Sequence, residues 1–207
     1  GGGADAVRDR HVEGLDLSEA DSPPIAAPGQ EARLVELARQ LGERLQAAGL
    51  MAVTAESCTG GMIAAAITEI AGSSNWFERG FVSYSNESKQ DLLRVRPGTL
   101  RQHGAVSEQT AAEMACGALG HSHAGFAIAV TGVAGPGGGS PDKPVGTVCF
   151  GWAIDGVGFS TETHRFPGDR AAVRLATALH AMSRAIEFLD ALEHWPGWRR
   201  RSVDPKD

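Results

Sequence analysis

The chain has 207 residues, 42% of them apolar, enough for one α/β domain with a sizeable core and too many for a chain disordered throughout. Its formal net charge is −6 and its Lys and Arg are scattered, so no nucleic-acid partner is expected, because neutralising phosphates needs clustered basic side chains. Cys58, Cys116 and Cys149 are odd in number and far apart, which fits neither a disulfide scaffold nor a CxxC metal site.

Residues 1–28 are rich in Gly, Asp, Ala and Pro, lack a sustained apolar period, and read as a flexible leader to a domain over 29–192. They also lack the charged-then-apolar order of a signal peptide. No apolar run approaches the roughly 20 residues that span a bilayer, so a cytoplasmic location and no membrane partner are expected. Over 30–48, Leu34, Val35, Leu37, Ala38, Leu41 and Leu45 recur at helical spacing, and Gly49 stands where a helix ends. The apolar run 50–56 suits a buried strand, and it leads through SCTGG into a helix over 61–72. Residues 80–84 read as a strand, after which Asn86 is expected to cap a helix over 87–95.

Ser107 should cap the next helix, 108–119, and 125–130 is a third buried strand entering a glycine-rich loop. The runs 146–154 and 158–166 flank Asp155-Gly156, a strong hairpin signal. Asp169 opens a long helix over 171–192, and a short basic tail, 193–207, is expected to fray. Alternating strands and helices with one hairpin predict an α/β fold: a single-domain, three-layer α/β/α sandwich with a mixed sheet.

Candidate chemistry sits at three junctions. Ala55 to Gly61 (AESCTGG) lies between a strand and a helix, where α/β sheets bind ligands. A serine there, Ser57, raises its hydroxyl above the sheet edge, and N–H groups of the following helix are placed to receive an oxyanion. The plainer reading makes Ser57 or Thr59 a helix cap, with Gly60 and Gly61 serving the turn; Cys58 is a competing nucleophile. Lys89, in the first turn of the helix after Asn86, faces the positive end of the helix dipole. It shares a face with Leu92 and Leu93, and both conditions disfavour its charged form. A lysine so placed suits a general base, although a snorkelling surface lysine fits the same spacing. Tyr84, the only tyrosine, ends the preceding strand and is placed to hydrogen-bond Ser57 or relay its proton.

The run from Thr131 to Ser140 (TGVAGPGGGS) permits close backbone approach to a phosphate or ribose, though it is neither a P-loop nor a dinucleotide fingerprint, and a flexible surface loop is equally compatible. Arg170 either clamps an anionic group or, more simply, pairs with Asp169 or Glu162. His121 and His123 form H-x-H without further ligands, so no metal is expected.

Together the stretches AESCTGG (55–61), GFVSYSNESKQDLL (80–93), HGAVSEQTAAEMACGAL (103–119), AVTGVAGPGGGSPDKPVGTV (129–148) and HRFPGDRAAVR (164–174) closely resemble the nicotinamide-nucleotide amidases, also found as the C-terminal domain of competence/damage-inducible CinA proteins. The resemblance implies deamidation of nicotinamide mononucleotide, a small-molecule nucleotide, by a Ser/Lys hydrolase that needs neither metal nor cofactor. It carries the nucleophile to Ser57, the base to Lys89 and an assisting hydroxyl to Tyr84, and it implies a homodimer or higher homo-oligomer. Thr59, Gly60, Gly61, Asn86, Thr131, Gly132, Gly135 and Arg170 are the candidate substrate-binding residues. A catalytically silent nucleotide-binding module and a competence- or damage-associated interaction module are the rival readings.

Overall fold

The computed structural model describes residues 29–193; the expected leader and, save residue 193, the expected tail lie outside the described residues. Within them run α1 (Gln30–Ala48), β1 (Ala52–Glu56), α2 (Met62–Thr68), β2 (Phe77–Val82), α3 (Asn86–Leu93), α4 (Pro97–His103), α5 (Glu108–Gly120), β3 (Phe126–Gly132), β4 (Thr147–Ile154), β5 (Gly158–Arg165) and α6 (Arg170–Glu193). The sheet order is β2-β1-β3-β4-β5, with β2, β1 and β3 parallel and β4 and β5 antiparallel to their neighbours. Helices α1, α2 and α6 cover one face; α5 covers the other, with α3 and α4 beside it. The fold is the three-layer α/β/α sandwich with a mixed sheet. No helix among the described residues is long and apolar enough to cross a membrane, and the three cysteines are unpaired.

The two faces of the sheet are packed to different depths because strand side chains alternate. Phe126, Ile128 and Val130 of β3, with Val148, Phe150 and Trp152 of β4, point to α1 and α6. Ala127, Ala129 and Ala153 point to α5, which answers with Ala115 and Ala118. Small residues on both sides let α5 lie close to the sheet. α5 also lies against α3: an added Cβ at Gly117 would stand 1.8 Å from the carbonyl oxygen of Leu93, at the end of α3. Helix propensity alone would make Gly117→Ala stabilising by about 1 kcal/mol. Overpacking against a backbone atom outweighs it, and a net loss of about 1–3 kcal/mol is expected in urea denaturation. A gain in stability would show that α3 can move freely away from α5.

Several boundaries differ from the sequence reading. The cap of α3 is Ser85, not Asn86: its hydroxyl accepts from Ser88 N while Ser88 Oγ accepts from Ser85 N. Both residue types are good caps, and the reciprocal Ser-x-x-Ser pair decides between them. Lys89 consequently sits one position further into the helix, and its buried companion is Leu93 alone, since Leu92 is 41% exposed. β2 starts earlier than expected and ends at Val82, because an edge strand tolerates Glu78 and Arg79. Tyr84 therefore lies beyond the strand, in the link to α3. α2 stops at Thr68, short of 72. α4, with Pro97 at its first position, was not anticipated at all. The hairpin at Asp155–Val157 and the caps Ser107 and Asp169 are where the sequence placed them.

Candidate functional site

Three parallel strands end side by side, and the chain leaving each one supplies part of a common pocket. Ser57, the residue after β1, is held on both sides of its backbone: its N–H donates to Val130 O of β3 at 3.1 Å, and the preceding carbonyl, Glu56 O, accepts from Ser83 N beyond β2 at 2.8 Å. The ladder thus continues past the strand and fixes where the Ser57 side chain projects. That side chain is nearly buried, at 7% exposure.

Lys89 enters from α3. It is 1% exposed, and its Nζ lies 2.9 Å from Ser57 Oγ while donating to Ser83 O at 2.9 Å. No carboxyl group of the described residues pairs with this ammonium. Burial, unopposed by an ion pair, holds its pKa below the usual lysine value. Cys58, the competing nucleophile, has the opposite fate: burial pushes its thiol up to about 11, which removes the thiolate at neutral pH.

The turn carrying Ser57 is gripped from two sides by residues that the sequence reading did not single out. Glu56, fully buried, points its carboxyl group at the start of α2, where it accepts from Thr59 Oγ1 (2.7 Å), Gly61 N (3.0 Å), Ile63 N (3.0 Å) and Ala64 N (2.8 Å). Arg174 reaches across from α6 and donates to the carbonyls of Cys58 (3.1 Å) and Thr59 (2.8 Å). Glu56 carried a signal, an acid closing an apolar strand, which must be satisfied if buried. Arg174 carried none, because its partners are more than a hundred residues away.

This clamp engages the Thr59 side chain, Gly60 and Gly61, and a fourth candidate, Asn86, lies apart from the pocket. Thr59 is fully buried with its hydroxyl spent on Glu56. Gly60 and Gly61 are required by positive φ, +61° and +96°, and an added Cβ would meet Arg174 and Val82 rather than the pocket. Asn86 is exposed, its carbonyl accepting from Gln90 Nε2 at 3.1 Å, outside the pocket lining. The N–H groups at the start of α2, expected to face a substrate, are engaged within the turn: those of Gly61, Ile63 and Ala64 by Glu56 and that of Met62 by Thr59 O. Among the described residues, no backbone carbonyl accepts from the N–H groups of Cys58 and Thr59.

The pocket itself encloses about 280 Å³ and is lined by Ser57, Cys58, Lys89, Tyr84, Arg170, Thr131 and the loop from Gly132 to Gly138, with Ala105 and Val106. Thr131 Oγ1 donates to Ala105 O at 2.8 Å, tying the chain before α5 to the end of β3. Arg170 pairs with neither Asp169 nor Glu162. Its guanidinium donates to Gly135 O (2.7 Å) and to Tyr84 Oη (2.6 Å), closing the rim between the glycine loop and the β2–α3 link. Tyr84 is 61% exposed, and its hydroxyl is engaged with Arg170 instead of Ser57. The structure therefore brings together Ser57, Lys89, Tyr84, Thr131, Gly132, Gly135 and Arg170. It leaves out the Thr59 side chain, Gly60, Gly61 and Asn86.

The model of the CinA C-terminal domain matches residues 34–189. The chain is similar to the nicotinamide-nucleotide amidohydrolase PncC of Enterobacter agglomerans, with 53% identity over 160 residues, 77% of this chain and 98% of that one. It is also similar to the protein of the same name from Escherichia coli K12, with 51% identity over 152 residues, 73% of this chain and 92% of that one. Among solved structures, the competence/damage inducible protein CihA from Agrobacterium tumefaciens superposes with a TM-score of 0.74 at 49% identity, covering 76% of this chain and 96% of that one.

Proposed function

This chain belongs to the CinA C-terminal domain family, and from that premise we propose that it is an amidohydrolase converting nicotinamide mononucleotide to nicotinic acid mononucleotide and ammonia, with Ser57 as nucleophile and Lys89 as general base. The observation that carries the reading is the 2.9 Å separation of Lys89 Nζ and Ser57 Oγ in a buried pocket with no acid to hold the amine charged. An uncharged amine has a lone pair to take the hydroxyl proton, and the ordinary lysine value of about 10.4 leaves too little of that form at neutral pH.

In the proposed reaction Lys89 accepts the Ser57 proton as Oγ attacks the carboxamide carbon. The N–H groups of Cys58 and Thr59 stabilise the oxyanion; Arg174 holds the carbonyls of both residues in place. The C–N bond breaks as Lys89 returns the proton to the departing nitrogen, and ammonia leaves. Water, deprotonated by the same amine, then cleaves the ester of Ser57 and frees the acid.

Arg170, with Tyr84 and the glycine loop at the rim, takes the phosphate end of the nucleotide. Arg170→Ala is expected to raise KM about 10- to 100-fold with kcat changed far less, because a charge-assisted hydrogen bond to a group remote from the reaction is worth about 1.5–3 kcal/mol in ground and transition states alike. Steady-state kinetics checks it; an unchanged KM with a collapsed kcat would move Arg170 to the reacting end. The reading as a whole is tested by following ammonia release from nicotinamide mononucleotide with a coupled assay. Saturable release by the wild-type chain supports it, and binding of the mononucleotide without release leaves only a nucleotide-binding module.

A further inference from the structure

We propose that Glu162, His164 and His180, none of which lines the Ser57 pocket, form a binding site for a borderline divalent transition-metal ion, Zn²⁺ above all. Glu162 and His164 are two apart on β5, so both project to the same face of the sheet, toward α6, which carries His180. Glu162 Oε2 lies 3.2 Å from His164 Nε2 and 3.1 Å from His180 Nε2. One ligand atom from each residue falls within 4.8 Å of the others. An ion about 2.0–2.1 Å from each atom would subtend about 100° between Oε2 and either nitrogen, close to tetrahedral. Two imidazoles and one carboxylate select zinc, cobalt or nickel over the hard cations, which prefer oxygen.

The surroundings of the cluster fit the role. Arg184 Nε donates to the other carboxylate oxygen, Glu162 Oε1, at 2.7 Å, which orients Oε2 toward both rings. Its charge is shared with Glu187, one turn along α6, so the cation beside the site is offset by two carboxylates. The rings are steadied by packing, His180 against Phe150 at 4.8 Å and His164 stacked on Phe166 at 6.1 Å between centroids. The His164 side chain is 43% exposed, leaving a route for the ion and room for water as a further ligand. Local spacing hides this site, since the third ligand stands on another element; the H-x-H of 121 and 123 is the pattern the eye finds instead.

The test uses the full chain without an affinity tag, stripped with a chelator. Zn²⁺ is titrated in competition with a chromophoric chelator, and Co²⁺ is followed by its visible absorption. One ion per chain is expected. Affinity should fall at least 10- to 100-fold in His164→Ala and in Glu162→Gln, the size of effect that even outer-shell changes produce, and should be unchanged in the His121→Ala/His123→Ala double variant. Zn²⁺ should also raise the melting temperature of the wild type but not of His164→Ala, whose ion-free melting temperature reports whether it folds. No binding at millimolar ion, or binding indifferent to His164→Ala, overturns the site and leaves Glu162 as a plain hydrogen-bonded bridge between β5 and α6.

Discussion

Ser57→Ala is expected to reduce ammonia release from nicotinamide mononucleotide by on the order of 10³-fold or more, while the chain stays folded and still binds the nucleotide. The size follows from the role proposed for the hydroxyl. Without it no acyl-enzyme forms, and what remains is whatever water can do in an oriented pocket. Preservation of the fold follows from the contacts: the backbone of residue 57 is held by Val130, and the side-chain hydroxyl is hydrogen-bonded to Lys89 Nζ, which keeps Ser83 O as acceptor. The measurement pairs the ammonia assay with titration calorimetry. A variant within tenfold of the wild-type rate would remove Ser57 from the chemistry, since Cys58, with its thiol at about 11, offers no substitute at neutral pH.

Lys89 should be as indispensable, and two substitutions separate the reasons. Lys89→Met keeps the unbranched, buried stem and deletes the amine; Lys89→Arg keeps a cation that proteins do not deprotonate. Both are expected to cost on the order of 10³-fold in kcat/KM. Charge at this position is not enough; a lone pair is required. A lysine→arginine variant retaining a tenth of the activity would exclude the general-base role.

The pH dependence has a defined sign. Burial lowers the Lys89 pKa, so the neutral base accumulates as pH rises through that lowered value. The wild-type kcat/KM should climb with pH and level off below the ordinary lysine range, and the climb should vanish in Lys89→Met. Stability moves with the same proton. Between the lowered folded value and the ordinary unfolded one, the unfolded chain binds more protons, so stability increases with pH across that window. The penalty for burying the amine is largest and constant below the lowered value. Lys89→Met is therefore expected to be more stable than wild type in urea at neutral pH, with the difference shrinking as pH approaches about 10.4.

The parts of the fold legible in the sequence are those where one physical demand dominates. The run 125–130 is a strand buried on both faces, and such a strand has no polar alternation to confuse it. The leucines of α1 and the cap at Ser107 behave the same way. β2 was blurred because an edge strand need not be apolar, and α4 because about two turns carry too little period to detect. At the site, the nucleophile and the amine were visible as a serine at a strand-to-helix turn and a lysine at a helix start. The supporting residues were not. Tyr84, close in sequence to the start of the helix that carries Lys89, looked like a partner of Ser57, yet its partner is Arg170, 86 residues away. The Thr59 side chain, Gly60 and Gly61 looked like pocket groups, yet they serve the turn that Glu56 anchors.

What the sequence determined unaided was the order of strands and helices, α4 apart, and which turns bear chemically useful side chains, because periodicity, caps and turn glycines act over a few residues. Which side chains meet was decided only by tertiary structure. Placing an amine 2.9 Å from a hydroxyl 32 residues earlier requires α3 to be seated against α5 and the neighbouring strand ends to be in register. Those constraints arise from close packing between elements, and no local stretch of the chain contains them.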